Sequence, residues 1–125
     1  MNLLLDTHIL LWWLADDPRL PRQAQWVVTD PDTAVYVSAA TVWEMAVKRS
    51  LGRLEVPDGL TEVLEVHRFA PLAISFDHAV AAGALPHHHR DPFDRMLIAQ
   101  AQVESLTVVS VDAAFSAYAV DLLPV

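Results

Sequence analysis

Apolar residues in this chain fall into two kinds of segment: short unbroken runs that stop at a polar residue, and longer stretches where apolar positions recur every three or four residues. The first run, NLLL at 2–5, ends at Asp6-Thr7 and suits a strand buried on both faces. A helix over 9–15 follows, stopped by Asp16, Asp17 and Pro18, and Pro21 opens a second that reaches about Thr29. AVYV at 34–37 reads as the second strand. Ser38 is placed to cap a helix through Ser50, with Val42, Met45, Ala46 and Arg49 on one face and Gly52 as its stop. Asp58 is expected to cap a helix to about Arg68, residues 71–75 to form a third strand, and Asp77 to cap a short helix ending near Gly83. Proline and histidines mark a loop at 86–90, and Asp91-Pro92 then supplies an N-cap carboxylate and a first-position proline for a helix to about Glu104. TVVSV at 107–111 is the clearest strand, and a helical turn over 113–117 and a last strand over 119–123 complete the chain. Strands alternating with helices predict βαβ units, hence an α/β fold with a central, mainly parallel sheet flanked by helices.

Composition narrows this picture. The length of 125 residues and 54% hydrophobic content fit a single domain over 1–125 with a substantial core. The N-terminal segment MNLLLDTHILLWWLADD has no basic start and is interrupted by Asp6, Thr7 and His8, so it reads as core and not as a signal peptide or membrane anchor. Cysteine is absent, which excludes disulfides, thiolate zinc sites and a cysteine nucleophile and leaves the cytoplasm as the default compartment. Eight Lys plus Arg against sixteen Asp plus Glu give a formal charge of −8, the wrong sign for nucleic-acid binding driven by counterion release. An RNA or DNA substrate must then be held locally, by metal ions and a few cations, and the same acidity favours a basic protein partner. Trp12, Trp13, Trp26 and Trp43 are expected in the core, with a partner groove as the alternative.

Four acids stand at telling points. Asp6 and Asp112 each end an apolar run, and the C-terminal ends of strands are where open α/β sheets hold their ligands. Carboxylates gathered there repel one another unless a hard cation compensates. Either residue can instead cap the helical segment that follows it. Glu44 lies inside a helical pattern, where it can pair with Lys48 at i,i+4, and Asp94 stands at the third helical position after Asp91, where a carboxylate suits the helix dipole. His87, His88 and His89 invite a metal reading, but consecutive imidazoles do not readily converge on one ion and suit zinc, copper or nickel, so they are read as an exposed loop. Arg90 and Arg95 beside Asp91 and Asp94, and Lys48, Arg49 and Arg53 beyond Glu44, complement helix dipoles or hold phosphates.

LLLDTHILLWWL at 3–14, SAATVWEMAVKRSLGRL at 38–54, HRDPFDRMLIAQA at 89–101 and VVSVDAAF at 108–115, in this order, resemble PIN-domain proteins, specifically VapC-type toxins of bacterial type II toxin–antitoxin pairs. The resemblance spans essentially the whole chain. It implies a Mg²⁺- or Mn²⁺-dependent endoribonuclease whose acids are Asp6, Glu44, Asp94 and Asp112, with Thr7 and Ser110 as hydroxyls orienting them and Asp91 kept as a cap. It further implies cleavage leaving 5′-phosphate and 3′-hydroxyl ends, a homodimer, and a cognate antitoxin. His87, His88 and Val111 depart from the family pattern and bear on the RNA path. Two other readings compete with catalysis: a non-catalytic PIN-fold binding module, and a phospho-acceptor receiver domain, which the lone lysine, Lys48, inside a helix disfavours.

Overall fold

Three consecutive leucines can be buried together only in a strand covered on both faces, because successive side chains of a strand point to opposite sides. The computed structural model, which describes Met1–Val125, places them there. Strand β1 (Asn2–Leu5) is the centre of a five-stranded sheet of order β3-β2-β1-β4-β5, whose other members are β2 (Ala34–Ser38), β3 (Ala70–Leu72), β4 (Thr107–Val109) and β5 (Asp121–Leu122). Every pairing is parallel, with Leu4 opposite Tyr36 on one side and Val108 on the other. Leu3 and Leu5 pack with Ile9, Met45 and Leu64 from helices α1 (Thr7–Leu14), α3 (Ala39–Ser50) and α4 (Leu60–Val66), and with Val28 of α2 (Arg22–Thr29). Leu4 turns the other way, onto Leu97, Ile98 and Phe115, where α5 (Phe76–Ala84) and α6 (Pro92–Glu104) cover the second face. Each of these leucines is fully buried, a contribution of roughly 1.5–3 kcal/mol apiece.

The chain leaves β1 toward β2 on one side and returns to β4 on the other. The strand order therefore reverses at β1, and the crevice at the C-terminal ends of β1, β2 and β4 is the switch point of the sheet. Asp6, Ser38 and Asp112 begin the helical segments after these strands, so three capping side chains face one crevice. Helix α6 runs into β4, which puts its N-terminus and Asp94 at the same edge.

Several boundaries differ from the sequence expectation. Asp58 does not cap α4. It pairs with Arg49, and Gly59, at φ +63, makes the entry turn in a left-handed conformation that costs glycine nothing. Asp77 does not cap α5 either: Ser75 Oγ accepts from His78 N–H at 3.1 Å, and Ser75 N–H donates back to His78 Nδ1 at 3.0 Å. That reciprocal cap draws residues 73–75 out of the expected strand, which ends at Leu72. The strands expected at 107–111 and 119–123 are shorter, and α1 starts earlier, at Thr7. The buried face of α3 comprises Ala40, Thr41, Glu44 and Met45, whereas Ala46 and Arg49 are exposed. Trp26 and Trp43 are not core residues, each being 63% exposed, while Trp12 and Trp13 pack at the core margin. No helix is long and apolar enough to cross a membrane.

Candidate metal centre

Cap and crevice turn out to be one role. Asp6 accepts from Ile9 N–H through Oδ1 at 2.8 Å, and Asp112 accepts from Ala114 N–H through Oδ1 at 2.9 Å. Each carboxylate thereby anchors the start of a helical segment through one oxygen. Asp112 Oδ2 lies 4.0 Å from His89 Nε2. Ser110 links the two acids: its hydroxyl accepts from Asp112 N–H at 3.0 Å, and its own proton serves Asp6, lowering that carboxyl's pKa.

Asp94 is brought in by the first turn of α6, where Asp91 caps Phe93 N–H at 2.8 Å and Asp94 N–H at 3.3 Å. Its Oδ2 is 2.8 Å from His89 Nε2. His89, Asp94 and Asp112 each offer a ligand atom, all within 4.8 Å of one another. His89 is thus set apart from the exposed His87 and His88, contrary to the reading of all three as an exposed loop. The loop is pinned from two sides. Tyr118 Oη donates to Pro86 O at 2.8 Å and accepts from His88 and His89 N–H, and the Arg95 guanidinium donates to the carbonyls of Ala82, Leu85 and Pro86 at 2.9–3.1 Å. Arg95 is therefore a clasp for this loop, its guanidinium engaged with backbone carbonyls. Arg90 remains exposed, with no ion-pair partner within 4 Å.

Glu44 is only 3% exposed, and a buried carboxylate needs partners. Thr7 Oγ1 donates to its Oε1 at 2.6 Å and Lys48 Nζ bonds its Oε2. Lys48 thereby serves as the internal counter-ion of an acid. The i,i+4 pairing and the crevice position of Glu44 coexist.

Electrostatics tie the set together. Burial raises the pKa of Asp6, against the Ser110 hydroxyl and the Ile9 N–H, and the charge of Asp112 raises it further. Burial likewise pushes Asp94 up to about 6; the His89 contact opposes this, and the charges of Asp91 and Glu44 add to it. A shared site of like charges held out of water is what a divalent cation relieves. The donor set, mostly carboxylate with one imidazole, fits Mg²⁺ or Mn²⁺, and the imidazole leans toward Mn²⁺.

A consequence follows for the metal-free protein. An acid whose folded pKa is raised from 3.8 to about 6 binds more protons folded than unfolded between those values, so its contribution to stability is full below pH 3.8 and is lost as pH rises through about 6. The full shift corresponds to roughly 3 kcal/mol, which solvent screening of the partly exposed carboxyl reduces to about 2 kcal/mol. Chemical denaturation in EDTA at pH 4.5, 5.5 and 7 should show it as a decline in the parent relative to Asp94→Asn. Parallel pH profiles for the two proteins would refute the raised carboxyl.

The sequence matches the PIN domain family over residues 3–121, and the chain belongs to that family. No curated protein matches it significantly. Similar solved structures include VapBC2 from Rickettsia felis bound to a promoter DNA fragment (TM-score 0.73, 14% identity, 98% of each chain covered). FitAcB from Neisseria gonorrhoeae (TM-score 0.61, 22% identity, 98% of this chain and 96% of that one) is another. A toxin–antitoxin complex from Klebsiella pneumoniae (TM-score 0.65, 21% identity, 97% and 95%) is a third. At these identities the likeness is one of fold, and the central parallel sheet flanked by helices is the fold expected from the sequence.

Proposed function

We propose that the chain is a Mg²⁺- or Mn²⁺-dependent endoribonuclease and the toxin member of a toxin–antitoxin pair. The observation that carries this reading is Asp94 and Asp112, with His89, offering ligand atoms within 4.8 Å of one another at the switch point of a parallel sheet, with Asp6 in the field of Asp112 and Glu44 in the field of Asp94. Membership of the PIN family supports it, as does the presence of a toxin–antitoxin complex from Klebsiella pneumoniae among the fold neighbours. Asp94 and Asp112, with His89 beside them, would hold an ion together with Asp6, and Glu44, already bonded by Thr7 and Lys48, would bind it directly or through water. The ion would supply an activated water and compensate charge building on the phosphoryl oxygens. Thr7 and Ser110 fix the carboxylates to which they bond.

The direct test is incubation of the purified chain with total cellular RNA and Mn²⁺ or Mg²⁺, followed by mapping of the ends. Metal-dependent cuts with 5′-phosphate and 3′-hydroxyl ends support the reading; absence of cleavage with either ion, together with tight binding of a basic peptide, would favour the non-catalytic module. An acid pocket that attracts a divalent ion also attracts a guanidinium, so the antitoxin is expected to occupy it with Arg or Lys. Inhibition that is indifferent to added Mn²⁺ would count against that mode. Arg90 is the cation left for phosphate at this edge. Arg90→Ala should weaken RNA binding a few-fold and reduce the salt slope by about one phosphate contact. An unchanged slope would return Arg90 to the solvent-facing surface.

A further inference from the structure

Trp43 is an expensive residue to leave in water, yet it is 63% exposed, and its position on the chain is specific. It precedes Glu44 on α3, and Phe93 precedes Asp94 on α6. One helical step, ~100° of rotation, carries each helix from its crevice acid to its aromatic neighbour. The two rings meet across the α3–α6 seam with centroids 5.2 Å apart and planes at 73°. Trp26 is equally exposed but sits on α2 with no aromatic partner, so exposure alone does not distinguish Trp43; the paired ring beside two site acids does.

Charge makes this pair consequential. The chain carries a net −8, Lys48 is bound to Glu44, and Arg95 is committed to backbone carbonyls. A polyanion approaching this edge meets four acids and, beyond these two, the free cation Arg90. Attraction that does not depend on charge must then come from the bases, and every base has a face that an indole can stack on. Resting on the ribonuclease reading above, we infer that Trp43, backed by Phe93, is a stacking platform for an unpaired base of the RNA, next to the phosphodiester presented to the acids. A paired base has no free face, so the platform selects single-stranded RNA.

The test uses the full chain and a fluorescent single-stranded RNA oligonucleotide, its duplex, and an abasic oligonucleotide of the same length. Binding is followed by anisotropy in Ca²⁺ over a salt series, and cleavage kinetics are measured separately in Mn²⁺. Trp43→Ala should weaken single-strand binding about tenfold, the scale of one lost base stack, with an unchanged salt slope. Trp43→Phe should restore most of it, KM should rise while kcat holds, and the abasic strand should bind parent and Trp43→Ala alike. If the parent binds and cleaves RNA but Trp43→Ala does so with unchanged affinity and KM, the platform is wrong and the ribonuclease reading stands. A parent that neither binds nor cleaves RNA overturns both. If Trp43→Ala instead converts a dimer to a monomer in sedimentation while each protomer binds RNA as before, the ring pair belongs to an interface between copies and the platform is likewise overturned.

Discussion

Asp94→Asn is expected to lower metal-dependent RNA cleavage at least about a hundredfold while leaving the metal-free fold at least as stable as the parent at pH 7. The lower bound is the small end of what a single group acting in the transition state contributes. Two effects combine. Asparagine keeps the shape of the side chain and can still meet His89, but it brings no charge to a site whose use depends on attracting a cation. The same loss removes a carboxylate that burial and the charges of Asp91 and Glu44 hold at about 6, so the empty site is relieved of a repulsion. Loss of activity with retained or improved stability is a signature that unfolding cannot mimic. Isothermal titration with Mn²⁺, thermal melts in EDTA and cleavage rates read the three quantities separately. A variant that cleaves at the parent rate, with contaminating nuclease excluded, would remove Asp94 from the site.

The second large effect is expected at a residue that touches no acid. Arg95→Ala should destabilise the protein by about 2–4 kcal/mol, since charge-assisted hydrogen bonds contribute roughly 1.5–3 kcal/mol each and do not add in full. Its guanidinium gathers the carbonyls of Ala82 and Leu85, at the end of α5, and of Pro86, which leads into the histidine loop. A fork of fixed N–H groups can do this and a lysine ammonium cannot, so Arg95→Lys should recover only part of the loss. On a domain of this size the Ala change corresponds to a fall in Tm on the order of 10 °C. Because the same loop carries His89, Mn²⁺ affinity should fall as well, and Tyr118→Phe, which removes the other pin, should lower it in the same direction. An unchanged melting temperature and Mn²⁺ affinity in Arg95→Ala would show that the loop holds itself.

What could be read from the sequence was what is local. An apolar run that stops at Asp marks a buried strand and the crevice beyond it, and both Asp6 and Asp112 were legible in that way. So was the α6 start, because the Asp-Pro cap is complete within two residues. Glu44 was harder. The apolar pattern turned α3 toward Val42, Met45, Ala46 and Arg49, of which Met45 is buried and Val42 packs on the core, while the inner face also includes Glu44, whose burial depends on Thr7, 37 residues away, as well as on Lys48. The hold of Arg95 on the histidine loop was not legible, because its partners are backbone carbonyls, which carry no sequence signal until the end of α5 is known. His89 was hidden among identical neighbours, and only the pinning by Tyr118, 29 residues on, separates it from His87 and His88. Trp43 was placed inside on composition, but Met45 takes the inward position on the other side of Glu44 and Trp43 is left 63% exposed. The caps at Asp58 and Asp77 failed for a common reason: each had a neighbour, Gly59 or Ser75, better suited to the backbone geometry required.

The pairing of β1 with β4 also orders events during synthesis. Asp6 sits at the end of β1, and its backbone N–H finds its acceptor on Val109, 3.1 Å away, in a strand translated about a hundred residues later. Contacts between such distant segments form late, since the intervening chain must be ordered before they can close. No growing chain or truncated product that stops short of Val109 therefore holds these acids together. The acids therefore face one another only after β4 and the turn that carries Asp112 have been made and packed beside β1.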